Sequence, residues 1–132
     1  AYLGCDMIYD GEDTHLYGKG TPDPLRKDPT LKNLKAKSAR LEAIAATQNC
    51  SIFNLSKRPD SNLIFRRSSL NDILKHNTPR SLNDKVLRSA LQKEKEFGYF
   101  VEDGRYWKHL DLFNQERIDL LDDLWNKVID EY

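Results

Sequence analysis

Residues 69–87 read SLNDILKHNTPRSLNDKVL, with the tetrapeptide SLND at 69–72 and again at 81–84. A serine at a helix N-cap accepts the N–H of the third helical residue, and an acid at that residue can return the bond. Ser69 with Asp72 and Ser81 with Asp84 both have this spacing. Each acid would also lie at the positive end of its helix. Between the two caps, Pro79 disfavours helical geometry at Thr78, and Asn77 suits a helix end. The stretch therefore predicts two helices joined by a tight turn. Leu70, Ile73 and Leu74 would form the apolar side of the first. In the second, Leu82, Val86, Leu87, Ala90, Leu91 and Phe97 fall on one side. Asp84, Lys85, Arg88, Ser89, Gln92 and Lys95 fall on the other.

The flanking sequence extends this pattern in both directions. From about 30 to 47 the spacing is helical, with Thr30 as cap and Leu34, Lys37, Leu41, Ile44 and Ala45 on one face. SIFNL (51–55) and LIFRR (63–67) are β-prone runs around a turn centred on Pro59-Asp60, which predicts a hairpin. EFGYFVEDGRYWKHL (96–110) predicts a second hairpin around Asp103-Gly104, a favoured two-residue turn. That register sets Glu102 opposite Arg105, Val101 opposite Tyr106 and Phe100 opposite Trp107. Residues 113–132 read as a long amphipathic helix with Ile118, Leu121, Trp125, Val128 and Tyr132 along its stripe. It is either a strut for the domain's own core or a dimerisation helix. The first 30 residues, punctuated by Gly4, Gly11, Gly18, Gly20 and two prolines in TPDP, read as an irregular acidic arm. Its Tyr2, Leu3, Met7, Ile8, Tyr9, Leu16 and Tyr17 are apolar enough to lie against this domain or a partner.

Helix, strand, helix, turn, helix, hairpin and helix is an order that resembles winged helix-turn-helix domains over about residues 31–110. LRSALQKEKEFGYFVEDGRYWKHL (87–110) carries the resemblance most specifically: a recognition-like helix ends near a glycine and runs into a wing-like hairpin. The expected fold class is thus α+β and mainly helical, with a winged-helix-like three-helix core and a β-hairpin. The arm at 1–30 and the helix at 111–132 would flank it. The resemblance implies that Lys85, Arg88, Ser89, Gln92 and Lys95 face a major groove and that Arg105 and Lys108 belong to the wing. Lys57, Arg58, Arg66 and Arg67 add two basic doublets nearby. The acidic Glu102 and Asp103 depart from a phosphate-gripping wing tip.

Charge leaves two readings open. The 132 residues carry zero net charge, but its distribution is uneven. Residues 1–30 hold three basic and six acidic side chains, residues 31–97 fourteen and six, and residues 98–132 four and nine. A basic middle of that size can leave an electrostatic footprint for nucleic acid, or be neutralised by the acidic ends within the monomer. Arg88 and Gln92 are side chains that can bond two base atoms at once.

Enzyme chemistry leaves no recognisable pattern, and no cofactor is expected. His15, His76 and His109 share no metal-ligand spacing with one another or with Cys5 and Cys50. Asp10-Gly11-Glu12-Asp13 lacks the alternating ligands and closing glutamate of a calcium loop. Two cysteines are few for a disulfide framework, and two free thiols fit an intracellular chain. Asn49-Cys50-Ser51 and Asn54-Leu55-Ser56 match the glycosylation acceptor pattern, which has meaning only on a secreted chain. No signal peptide is evident, and no apolar run nears the roughly 20 residues of a membrane-spanning helix. The expectation is a non-catalytic nucleic-acid-binding module, with DNA favoured. The competing one is a non-catalytic subunit of a protein assembly, including a homodimer through the last helix at Ile118, Leu121, Trp125 and Val128.

Overall fold

A computed structural model of the chain describes residues 1, 6, 33–75, 77–99, 101–105 and 108–129. The architecture is mainly helical with a small sheet. In chain order it runs α1 (Leu34–Thr47), β1 (Phe53–Asn54), β2 (Arg66–Arg67), α2 (Leu70–Lys75), α3 (Asp84–Phe97), a 3-10 turn (Leu110–Leu112) and α4 (Gln115–Asn126).

Asparagine starts all three long helices. Its side-chain oxygen accepts the N–H three residues on: Asn33 from Ala36 at 3.0 Å, Asn83 from Val86 at 3.1 Å and Asn114 from Arg117 at 3.1 Å. Serine does so for α2, where the Ser69 hydroxyl accepts the Asp72 N–H at 3.2 Å and donates to the Asp72 carboxylate at 2.6 Å. The first SLND is therefore a cap as expected, and the second is not. Leu82 is held extended in an antiparallel bridge to Ile129, and the Asn83 N–H donates to the Val128 carbonyl at 2.8 Å. The helix can begin only after that bridge, so Asn83 caps it in place of Ser81. Thr30, the cap expected for α1, lies outside the described residues.

The helix ends follow local chemistry. After α1, Asn49 takes a left-handed φ of 56°, while the Cys50 and Asn49 N–H groups donate back to the Ala45 and Ala46 carbonyls. After α3, Gly98 takes the same role at φ 64°, with the Tyr99 N–H donating to Glu94 and the Gly98 N–H to Lys95. The last helix is shorter than its apolar stripe suggests. It stops at Asn126, so Val128 lies in a turn and Ile129 in the bridge to Leu82.

The core joins three helices, α1, α3 and α4. Ala36, Ala39 and Ala43 from α1 and Leu87 and Ala90 from α3 cluster with Leu121, Trp125, Val128 and Ile129. Alanines on α1 and α3 let each helix pack closely on α4, whose Leu121 and Trp125 supply the volume at the centre. The buried side of α1 is thus its alanine side, and Leu41, expected inside, is 44% exposed. Ile118, Leu121, Trp125 and Val128 are all buried within this chain. They form the strut, and that face is not open to a second copy. By contrast α2 buries none of its residues.

Neither expected hairpin forms among the described residues. β1 and β2 pair in parallel, Phe53 with Arg66 and Asn54 with Arg67, so residues 55–65 are a crossover and not a turn. Buried Asn54 shapes its start by accepting the Ser56 N–H at 2.9 Å and donating to the Ser61 hydroxyl at 3.1 Å. At 101–105 the turn closes one residue earlier than expected, with the Gly104 N–H donating to the Val101 carbonyl at 2.9 Å. The Arg105 N–H, which would open the ladder with Glu102, donates instead to the Asp103 carboxylate at 2.9 Å. The Lys108 N–H donates to the Arg105 carbonyl at 2.9 Å. Phe100, Tyr106 and Trp107 lie outside the described residues, as does the arm apart from Ala1 and Asp6. Asp6 docks on the crossover, accepting the Ser56 hydroxyl at 2.6 Å and the Asn62 N–H at 2.9 Å.

One carboxylate ties the three core helices together. Glu94 on α3 accepts the Arg40 guanidinium of α1 through both oxygens, at 2.6 and 3.1 Å, and the Trp125 indole N–H of α4 at 2.8 Å. Replacing it leaves a buried indole N–H and an arginine without their acceptor. Urea unfolding should show Glu94→Ala destabilised by about 2–3 kcal/mol. Leu74→Ala, at a side chain 78% exposed on α2, should change stability by less than about 0.5 kcal/mol.

Candidate nucleic-acid interface

The basic residues singled out in the sequence fall into two physical classes. Lys85, Arg88, Gln92 and Lys95 lie along the exposed side of α3, opposite Leu87, Ala90 and Glu94, which face the core. Their spacing of three or four residues sets them on one face over three turns. Lys85, Arg88 and Lys95 have no ion-pair partner among the described residues. Gln92 donates to Glu96 at 2.8 Å, and Lys93 pairs with the same carboxylate. Those bonds, Lys93 first and then Gln92, lower the Glu96 pKa and keep it charged beside the face. Ser89 is half-buried, at the edge of the face.

The arginines of the two doublets are engaged in holding loops. Arg58 pairs with Asp60 at 2.9 Å, Arg67 donates to the Ser56 carbonyl at 3.0 Å, and Arg66 donates to the Thr78 carbonyl. The Arg66 guanidinium also stacks 5.0 Å from the centre of the Phe53 ring. Lys57, Arg105 and Lys108 are exposed. The exposed face of α3 is therefore the one contiguous set of side chains among these candidates with cations that the described fold leaves unengaged.

Sequence reasoning missed the buried charges that orient this face. Glu94 lies seven residues after Leu87 and four after Ala90, on the apolar stripe of α3. Glu42 lies three residues after Ala39, on the buried side of α1. A carboxylate on an apolar stripe is a readable sign of a buried pair. Burial raises the Glu42 pKa, and Arg80 at 3.5 Å offsets this in part. Asp122 on α4 is half-buried. Burial, against Lys37 and with Asp119 and Asp123 adding repulsion, pushes its pKa up to about 6.

Other chemistries find less support. Among the described residues no group of three His, Cys, Asp or Glu side chains is placed to hold a metal ion. His109 leads into the 3-10 turn that contains Asp111. Cys50 is a free, exposed thiol, and Cys5 lies outside the described residues. Asn54 is buried with its amide bonded to Ser61, whereas Asn49 is exposed. Among the described residues no helix is long and apolar enough to cross a membrane. Comparison with known protein families, curated proteins and solved structures gives no match.

The raised Asp122 pKa has a defined sign. Between the ordinary value of 3.8 and about 6, the folded state binds more proton than the unfolded chain, so stability falls as pH rises through that window. The group is half-buried, so solvent screening reduces the effect to about 1 kcal/mol. Asp122→Asn should raise the neutral-pH unfolding midpoint and flatten the slope between about pH 4 and 6, measured by urea unfolding across pH.

Proposed function

We propose that this chain is a non-catalytic nucleic-acid-binding module that contacts DNA through the exposed face of α3. The observation that carries the reading is the row of Lys85, Arg88 and Lys95, three exposed cations on one helix face without ion-pair partners among the described residues. Cations so spaced meet phosphates, and Arg88 can also bond two acceptors of a guanine edge. An exposed helix face fits the major groove of B-form DNA better than the deep, narrow one of A-form RNA, which favours DNA. The resemblance to winged helix-turn-helix domains would make α3 the recognition helix, although the hairpin expected as its wing does not form among the described residues and α2 stays outside the core.

A second reading, a non-catalytic subunit of a protein assembly, is favoured by α2. Its Leu70 is 61% exposed and its Leu74 78%, on a helix that buries nothing.

Fluorescence anisotropy with a labelled duplex over a salt series separates the two. Three phosphate contacts predict a log–log salt slope of about −3. Lys85→Ala with Arg88→Ala should bring the slope to about −1 and leave thermal unfolding unchanged. Absent binding at low salt, or a slope indifferent to that double variant, overturns the DNA reading. Concentration-dependent sedimentation abolished by Leu70→Ser with Leu74→Ser would then support the assembly reading.

A further inference from the structure

A groove away from the exposed face of α3 combines features that nothing above uses. It has a volume of about 360 Å³ and lies between α1, the end of the crossover, the segment before α3 and the end of α4. Ala39, Leu63, Ile64 and Ile129 supply apolar wall, and Lys35, Ser61, Arg80 and Asn126 supply polar groups. The volume is within the range of small-molecule sites, and apolar walls with a few polar groups are their usual lining. Among the described residues that line it, two are cationic and none is acidic.

Arg80 is the unusual member. Its side chain is only 15% exposed, yet it is poorly satisfied. Nη1 donates to the Ile64 carbonyl at 3.2 Å and meets the Glu42 carboxylate at 3.5 Å. That is longer than the roughly 2.7–2.9 Å of a strong charge-assisted bond. Nε is buried and has no hydrogen-bond partner. That N–H is closed off from solvent, so what Arg80 offers the groove is the exposed remainder of a guanidinium whose bonds are incomplete. Glu42 already faces Arg80 and leaves that N–H unmet. Lys35, exposed on the first turn of α1, adds a second positive charge on the same groove.

We propose that this groove binds a small organic anion, a carboxylate with a short aliphatic tail. The carboxylate lies between Arg80 and Lys35, and the tail lies against Leu63, Ile64 and Ile129. Arg80 and Lys35 offer positive charge to the carboxylate, and the tail covers the half-exposed Leu63 and Ile64. The charge of the two lining cations selects an anion, and the apolar wall selects against a bare inorganic one.

The test is a titration of the full chain, followed by amide NMR shifts, with hexanoate, hexanol and inorganic phosphate as separate probes. Hexanoate should bind with shifts centred on residues 35–39, 61–64 and 126–129. Lys35→Glu, at an exposed position, should weaken hexanoate by about fivefold or more. Arg80→Lys should weaken it further. If that variant fails to fold, the Lys35→Glu result alone decides. Hexanol binding as tightly as hexanoate overturns the anion requirement, and phosphate binding as tightly overturns the role of the tail. Absent hexanoate binding, or binding indifferent to Lys35→Glu, overturns the proposal.

Discussion

The Glu94 carboxylate is the point on which the helical core converges. Removing a carboxylate from water costs several kcal/mol unless donors replace the lost hydration. Here three N–H groups do so, two from Arg40 on α1 and one from Trp125 on α4. The Arg40 guanidinium also lies 5.7 Å from the centre of the Trp125 ring, so the two donors to Glu94 pack on each other. An alanine-rich interface is shallow and could slide or rotate with modest loss. Directional bonds from two other helices set the rotation of α3 about its own axis. That rotation decides which residues of α3 meet solvent, and so Lys85, Arg88 and Lys95 point outward as a consequence of what Glu94 holds inward.

The remaining buried charges show the same economy with less complete satisfaction. Glu42 is 2% exposed and has Arg80 at 3.5 Å, while Arg66 and Arg80 each keep a buried Nε without an acceptor. Arginines therefore do different jobs among the described residues. Arg40 closes the core, Arg58, Arg66 and Arg67 hold the crossover and the segment before α3, and Arg88 remains at the surface. A count of basic residues in the middle of the chain merges these jobs. Their geometry separates them, and it narrows the DNA-binding proposal to the face of α3.

Much of the helical framework is legible in the sequence because its signals are local. Ser69 caps α2, Gly98 ends α3, and the stripe of Ile118, Leu121 and Trp125 is a core face. The departures come from contacts between distant segments. The Leu82 bridge to Ile129 delays the start of α3 beyond Ser81 and fixes the extended course just after α4. Parallel pairing of Phe53 with Arg66 rests on a crossover stabilised by Asn54 and Asp6, which a turn-like Pro59-Asp60 conceals. At 101–105 a side chain decides, because Asp103 takes the N–H that a hairpin ladder needs. Of the candidate interface, the identity of the α3 face was readable from spacing. The engagement of Arg58, Arg66 and Arg67 was not, because their acceptors lie in loops.

The convergence on Glu94 is tested most directly by a double-mutant cycle between the two helices that meet there, using Arg40→Met and Trp125→Phe in urea unfolding. Two side chains that share one acceptor and stack on each other should couple by about 1 kcal/mol. Losses that add to within about 0.3 kcal/mol would mean that Arg40 and Trp125 act independently, and would contradict the account.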